Sequence, residues 1–262
     1  MIIGIDGNEA NVKNRVGVNT YAYELIKNLV RLQVNNINHH RLIVYLKEKP
    51  IADMPEESAN FKYKVIPGKV VWVLTKLFPE LMFGKNKPDV FLSPSHYLPP
   101  VVGIPLVCSI MDLGYLEFSG QFEKKVFWQL KYWTAISIFA SKQILTISES
   151  TKQDIVRHYP WASKKITVTP LSHDLTEKDF KISENDVRRV KNKYSIVHDY
   201  ILYVGTLKPS KNVEGLIAAF SKLKYNKPLQ LVIAGKKGWM YTEMFKLVKK
   251  LGVQDSVVFT DY

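Results

Sequence analysis

Tyr203 to Asn212 reads YVGTLKPSKN. It closes an apolar run, YILYVG, at Gly205, crosses a loop carrying Lys208, Pro209 and Lys211, and enters the helical pattern VEGLIAAFSKL at once. Strand, glycine loop and helix in that order make a βα unit. Gly205 lets backbone approach closely, Pro209 stiffens the turn, and Asn212 is placed to cap the helix. Free N–H groups at a helix start favour anions, and Lys211 adds a compact cation, so the loop reads as a receiver of phosphate.

The same unit recurs in both directions. Continuous apolar runs of strand length are IIGID, RLIVYL, YKVIP, DVFLS, PLVCSI, QILTIS, KITVTP, YILYVG, LQLVIAG and SVVFTDY. Runs that are apolar throughout suit strands covered on both faces, as in a parallel sheet. Helical patterns lie between them. Asn19 to Val34 puts Tyr21, Leu25, Ile26, Leu29 and Leu32 near one face, Gly120 to Ser141 is aromatic-rich, Ser148 or Ser150 can cap a helix to about His158, and Trp239 to Gly252 ends on a glycine stop. The expected fold is α/β, with doubly wound Rossmann-like domains and parallel sheets.

The rhythm breaks between about His173 and Asp199, a polar, charged stretch in which Ser183 and Asp186 can open a helix. Its first part reads as a linker. The expected domains are 1–173 and 174–262, the second with three strands where a complete nucleotide-binding half has five or six.

Charge narrows the partners. With 37 Lys and Arg against 24 Asp and Glu, the 262-residue chain carries +13, a bias toward an anionic partner. Basic residues are scattered in pairs such as Lys124-Lys125 and Lys236-Lys237 rather than gathered in one recognition element, which argues against nucleic acid. The single cysteine, Cys108, excludes a disulfide framework and a cysteine-based zinc site, so a reducing cytoplasm is expected. Asp6 and Glu9 interrupt any signal-peptide hydrophobic region, and no apolar run approaches the roughly 20 residues that span a bilayer.

Three βα loops face the strand ends where parallel sheets bind ligands. One is YVGTLKPSKN. A second, AGKKGW, repeats its arrangement with Gly235, Lys236, Lys237 and Gly238, and makes Gly235 and Lys236 candidate nucleotide-binding residues. The third, GNEANVKNRVGVNTYAYEL, brings Gly17 and Asn19 to a helix entrance; it is not G-x-G-x-x-G.

The segments GVNTYAYELIKNL, DVFLSPSHYLPP, PLVCSIMDLGYLEF, ILTISESTKQDIVRHYP, ILYVGTLKPSKNVEGLIAAF and LVIAGKKGW follow the order and spacing of retaining glycosyltransferases of the GT-B fold, family four, which the chain resembles over essentially its whole length. The resemblance implies two facing Rossmann-like domains, with a glycan or lipid-linked acceptor on the first and a nucleotide-sugar donor on the second. It implies that Lys211 holds the donor diphosphate, with Gly17 in the glycine loop opposite and Gly205 beside it. His96 matches a histidine common in the family, and acceptor-pocket residue and hydrogen-bonded loop histidine are both open readings for it. Asp112 either orients an acceptor hydroxyl or caps a turn.

The chain departs from the family's pattern at three points. Ser210 stands where members carry Arg, Met111-Asp112 where many read His-Asp, and the chain ends at FTDY, before the paired glutamates of an E-x7-E motif. A truncated gene or fragment with little transferase activity is expected on that ground. No Asp-x-Asp pair occurs, so helix N-termini and lysine are expected to replace a metal. Lys69 to Lys87 and Glu123 to Phe139 combine lysines with Trp, Phe and Leu. Core packing is expected of the second, and contact with an anionic membrane surface is kept for the first. The alternative functions are a nonenzymatic module for nucleotides or sugar phosphates and, third, a nucleic-acid-binding protein.

Overall fold

Seven of the apolar runs pair as one wholly parallel sheet in the computed structural model, which describes residues 1–34, 40–69, 71–172, 182–238 and 241–261. The strands are β1 (Ile2–Asp6), β2 (Arg41–Leu46), β3 (Phe61–Val65), β4 (Val90–Ser93), β5 (Leu106–Ile110), β6 (Gln143–Thr146) and β7 (Ile166–Val168), in the order β3-β2-β1-β4-β5-β6-β7. The register runs Ile5 to Val44 on one side of β1 and Ile5 to Leu92 on the other. Strand order reverses between β1 and β4, and the crevice beyond their carboxyl ends is where such sheets take ligands.

Among the described residues five helices belong to this sheet: α1 (Val18–Val34), α2 (Phe78–Phe83, continuing a π-helical turn Val73–Leu77), α3 (Gly114–Glu117), α4 (Lys124–Ala140) and α5 (Glu149–His158). One core gathers Ala22 and Ile26 of α1 with Ile5, Leu42, Val44 and Phe61, and a second gathers Phe91, Leu98, Leu106, Ile110, Ile138 and Ile144. Helical period puts Ala22 and Ile26 inward, whereas Leu32, expected on that face, is exposed because, six residues after Ile26, it lies roughly 120° round the helix from it. Ser148 caps α5, its Oγ accepting from Thr151 N at 3.1 Å.

The three remaining strands form a second parallel sheet. After α6 (Glu184–Lys193) come β8 (Asp199–Val204), α7 (Val213–Lys222), β9 (Leu229–Ala234), α8 (Thr242–Lys250) and β10 (Val257–Phe259), with sheet order β10-β9-β8. Ser183 opens α6, its Oγ accepting from Asp186 N at 3.1 Å and donating to Asp186 Oδ2 at 2.7 Å. Central β9 is buried against Val213, Ile217, Met244 and Val248, while β8 lies at the sheet edge with Leu202 and Val204 exposed. Gly252, at φ +67°, stops α8.

The chain divides into two units, Met1–Ser172 and His173–Tyr262. Much of the expected linker, and the Trp239-Met240 start expected for α8, lie outside the described residues. Among those described, no helix is long and apolar enough to cross a membrane.

Candidate functional site

In the second unit the two glycine loops are joined edge to edge. Gly205 N donates to Ala234 O (2.9 Å), Leu207 N to Lys236 O (3.0 Å) and Gly238 N back to Leu207 O (3.0 Å), so the β8 and β9 ladder continues past both strand ends. Leu207 is buried beneath the joined loops. Gly235 has φ +155°, and a Cβ there would sit 2.0 Å from Gly205 O. Glycine at 235 is therefore a packing requirement of the loop pair, whereas a Cβ on Gly205 would meet only the Tyr203 ring and hydroxyl, the latter at 2.8 Å.

Lys211 ends the 3-10 turn Pro209–Lys211, directly before α7. It is exposed, and among the described residues its ammonium makes no hydrogen bond or ion pair. Lys237 is bound to Asp261 at 3.1 Å, which leaves Lys236 as the available cation of its pair.

Asn212 corrects a sequence expectation. It holds a left-handed conformation, φ 49° and ψ 41°, and its side chain makes no capping bond. The side chain lies instead over the first turn of α7, where a Cβ on Gly215 would meet Asn212 Oδ1 at 2.6 Å. The first-turn N–H groups of α7 thus carry no side-chain cap, and Glu214 is the opposing charge to an anion in the same turn.

In the first unit the crevice between β1 and β4 is polar. Asp6 ends β1, is buried, and accepts from Asn8 N (3.0 Å) and Asn8 Nδ2 (2.7 Å). Burial pushes its carboxyl up to about 6 against those hydrogen bonds, and neighbouring Glu9 adds to the rise. Glu9 is also raised by burial, opposed by Lys47 and by a hydrogen bond from Asn19 Nδ2 at 2.6 Å.

The loop from Gly7 to Gly17 is tied to the segment after β2. Asn8 Oδ1 accepts from Lys47 N (2.9 Å), Asn11 bonds Lys49 O (3.0 Å) and Ile51 N (2.9 Å), and Arg15 grips Asp53 through two nitrogens (2.5 and 2.9 Å). At its end Gly17 has φ +54° with nothing within 4 Å of a built Cβ. Its glycine is therefore conformational, and the space in front of it is open.

His96 and Asp112 come together at the exits of β4 and β5. Burial lowers the His96 imidazole to about 4, with the Asp112 carboxylate pulling the other way, so the ring is neutral near pH 7. Its Nε2 is buried without a hydrogen-bond partner, and its ring packs on Tyr97 at 4.1 Å. The backbone is fixed from α4: Ser137 Oγ donates to His96 O and accepts from Leu98 N (3.1 Å), and Trp133 Nε1 donates to Leu98 O (3.2 Å). Asp112 accepts from Gly114 N at 2.9 Å, closing the turn into α3. A neutral imidazole with one unsatisfied nitrogen suits a ligand hydroxyl better than a phosphate.

Gly17, His96 and Asp112 thus belong to the first unit, and Gly205, Lys211, Gly235 and Lys236 to the second. Sequence reasoning passed over Glu9 and the anchors Asn8, Asn11 and Arg15. The two asparagines in GNEAN were the available signal, since turn-forming side chains that close together mark a loop held by side-chain bonds.

Comparison with known proteins places the chain in a family. Residues 187–262 match the family model described as glycosyl transferases group 1. The O-antigen chain mannosyltransferase B of Escherichia coli is 24% identical over 219 residues, 81% of this chain and 52% of that protein. An uncharacterized glycosyltransferase of Methanocaldococcus jannaschii is 30% identical over 129 residues, 48% of this chain and 33% of its own. The chain thus spans about half the length, or less, of these relatives.

Among solved structures, HepE of Anabaena in complex with UDP-glucose superposes with TM-score 0.65 at 13% identity, covering 100% of this chain and 68% of that one. WaaG, a glycosyltransferase involved in lipopolysaccharide biosynthesis, gives TM-score 0.62 at 16% identity, covering 100% and 70%. At such identities these likenesses show the fold, which is GT-B. The model of glycosyltransferase family 4 matches residues 16–177, more than half of the sequence, and the chain belongs to that family.

Proposed function

We propose that this protein takes part in transfer of a hexosyl group from a nucleotide-sugar donor to a glycan or lipid-linked acceptor, with retention at the anomeric carbon. The carrying observation is the joined loop pair of the second unit, with Lys211 exposed and unpaired at the uncapped start of α7. That arrangement supplies N–H groups, a helix dipole and a compact cation to one diphosphate. As the sugar–phosphate bond breaks, the leaving diphosphate gains charge, and Lys211 stabilises it without a metal. Gly205 and Gly235 keep the loops low, and Lys236 stands beside the nucleotide.

The acceptor belongs to the first unit. His96 binds or orients a hydroxyl through its free Nε2, and Asp112 holds the turn beside it while biasing the imidazole electrostatically. The O-antigen mannosyltransferase relative and the UDP-glucose bound to HepE support a hexosyl donor and a role in polysaccharide biosynthesis. The location in this reading is cytoplasmic, peripheral at the inner face of the membrane.

Titration calorimetry with nucleoside diphosphates tests the donor half of the reading. Binding is expected, and it weakens in Lys211→Ala; unchanged affinity in that variant rejects the assignment. Ser210 and Met111, which replace a cation and a histidine usual in the family, favour a second reading as a binding module without turnover. Binding of UDP-sugars with no sugar released or transferred under any acceptor supports that reading over the first.

A further inference from the structure

The helix α4 has two dissimilar faces. Thr134, Ser137 and Ile138 are buried, and Ser137 with Trp133 fixes the His96–Leu98 loop. Trp128, Tyr132, Ile136 and Phe139 follow at helical spacing along the other side and are 46%, 62%, 43% and 70% exposed. The sequence placed this segment in the core, and for this face the structure overturns that. Its apolar residues run round the whole helix, so periodicity alone did not show which side meets solvent.

The exposed rings are ordered among themselves. Trp128 and Tyr132 stack at 5.4 Å, and Phe139 meets the exposed Trp161 edge-on at 6.2 Å. Beside them an apolar groove of about 300 Å³ opens between α4 and Leu74 of the π-helical turn. Single exposed apolar side chains are ordinary, but a contiguous aromatic stripe with a groove marks an interaction surface.

Charge selects the partner. From Glu123 to Lys142 there are four lysines and one acid. Lys124 and Lys125 are exposed at the start of the stripe and Lys131 Nζ lies 5.0 Å over the Trp128 ring, while Lys165 Nζ, 4.8 Å over Trp161, is held by the carbonyls of Ile138 and Ser141 and closes the end of α4. Trp and Tyr flanked by lysine suit the boundary between headgroups and acyl chains, where rings bury and ammonium groups meet lipid phosphate.

We propose that this face of α4 docks the protein onto an anionic bilayer surface, with Trp128, Tyr132 and Phe139 entering the interface. Docking there sets the His96 loop about one helix diameter, roughly 10 Å, from the lipid headgroups. That placement serves a lipid-linked acceptor and so rests on the proposed function for its purpose, but not for its test.

The test is cosedimentation of the full chain with vesicles of phosphatidylcholine alone or mixed with phosphatidylglycerol. The wild type is expected to pellet with the mixed vesicles, to release as salt rises, and to stay in the supernatant with vesicles of pure phosphatidylcholine. The combined variant Trp128→Ser, Tyr132→Ser, Phe139→Ser is expected to bind at least about tenfold more weakly, with an unchanged circular dichroism spectrum because the three side chains are exposed. Lys124→Glu with Lys125→Glu is expected to lose the preference for phosphatidylglycerol. Equal binding of the triple variant, or no binding by the wild type, overturns the proposal. So does a wild-type dimer that the triple variant converts to monomer without any vesicle binding, since the occupant is then a second copy. No donor enters the assay, so its failure is separable from failure of the nucleotide-sugar reading.

Discussion

A Cβ built on Gly235 lies 2.0 Å from the carbonyl oxygen of Gly205, so the ends of β8 and β9 run backbone against backbone. Gly235→Ala is expected to push the two loops apart and destabilise the second unit by more than about 2 kcal/mol, because the clash is with main chain. Gly17→Ala in the first unit is expected to cost only about 1 kcal/mol, since its left-handed φ is strained for alanine but no atom obstructs the methyl group. Urea unfolding of both variants separates the two cases, and equal losses contradict the packing argument.

Arg15 and Asp53 meet through two parallel bonds across 38 positions of sequence. The Arg15 guanidinium also donates to Ala10 O at 2.7 Å and stacks 3.9 Å over the Tyr23 ring. Arg15→Ala is expected to speed amide exchange throughout the Gly7 to Gly17 loop, and Arg15→Lys is not expected to rescue it, because an ammonium lacks the planar fork. Lys62→Ala, which breaks an exposed pair with Glu57, serves as the control and leaves that exchange unchanged. Equal exchange in the Arg15 variants and wild type would show that the asparagines alone hold the loop.

The strand framework was legible because continuous apolar runs between helical patterns admit few arrangements, and all ten runs became strands in parallel sheets. The cap at Ser183 was equally readable, and the other was narrowed to Ser148 or Ser150, of which the structure uses Ser148, since such caps are settled within four residues. What sequence could not supply was direction and distance. Asn212 suits both an N-cap and a left-handed turn, and only the space over Gly215 decides between them. The bond between Arg15 and Asp53 has no periodic signature. The sequence reading groups Leu32 with the inward face of α1, but the buried Ala22 and Ile26 turn that face roughly 80–120° away from it.

Asp6 and His96 give the first unit opposed pH dependences. Buried Asp6, at about 6, keeps its proton in the fold after the unfolded chain, near 3.8, has lost it, so stability falls as pH rises between those values. His96, at about 4, sheds its proton in the fold while the unfolded side chain, near 6.5, retains it, so stability rises with pH over that window. Each contributes a slope of about 1.4 kcal/mol per pH unit, of opposite sign, and the two offset each other between about pH 4 and 6. Asp6→Asn is expected to steepen the rise of stability with pH relative to wild type, and His96→Asn to reverse the change. Urea midpoints near pH 4.5 and near pH 6 read both slopes; variants that differ from wild type by the same amount at both pH values contradict the assigned ionisations.

Lys211 and Lys236 are both exposed lysines on joined loops, yet they are expected to behave differently. Lys211 sits directly before the uncapped N-terminus of α7, separated from it by Asn212, where its charge and the helix dipole act on the same anion. Its replacement by alanine is expected to weaken nucleoside diphosphate binding by about tenfold, or about 1.4 kcal/mol. Lys236 follows Gly235 in the loop after β9 and adjoins no helix start among the described residues, so Lys236→Ala is expected to weaken binding by no more than about threefold. Neither substitution is expected to move the unfolding transition, because neither ammonium makes a bond among the described residues. Raising salt should erode the Lys236 effect first, since a diffuse contribution from an exposed charge is screened more readily than one held against helix amides. Calorimetric titrations of both variants at two salt concentrations decide the matter, and a larger loss at Lys236 than at Lys211 would transfer the diphosphate site from the first loop to the second.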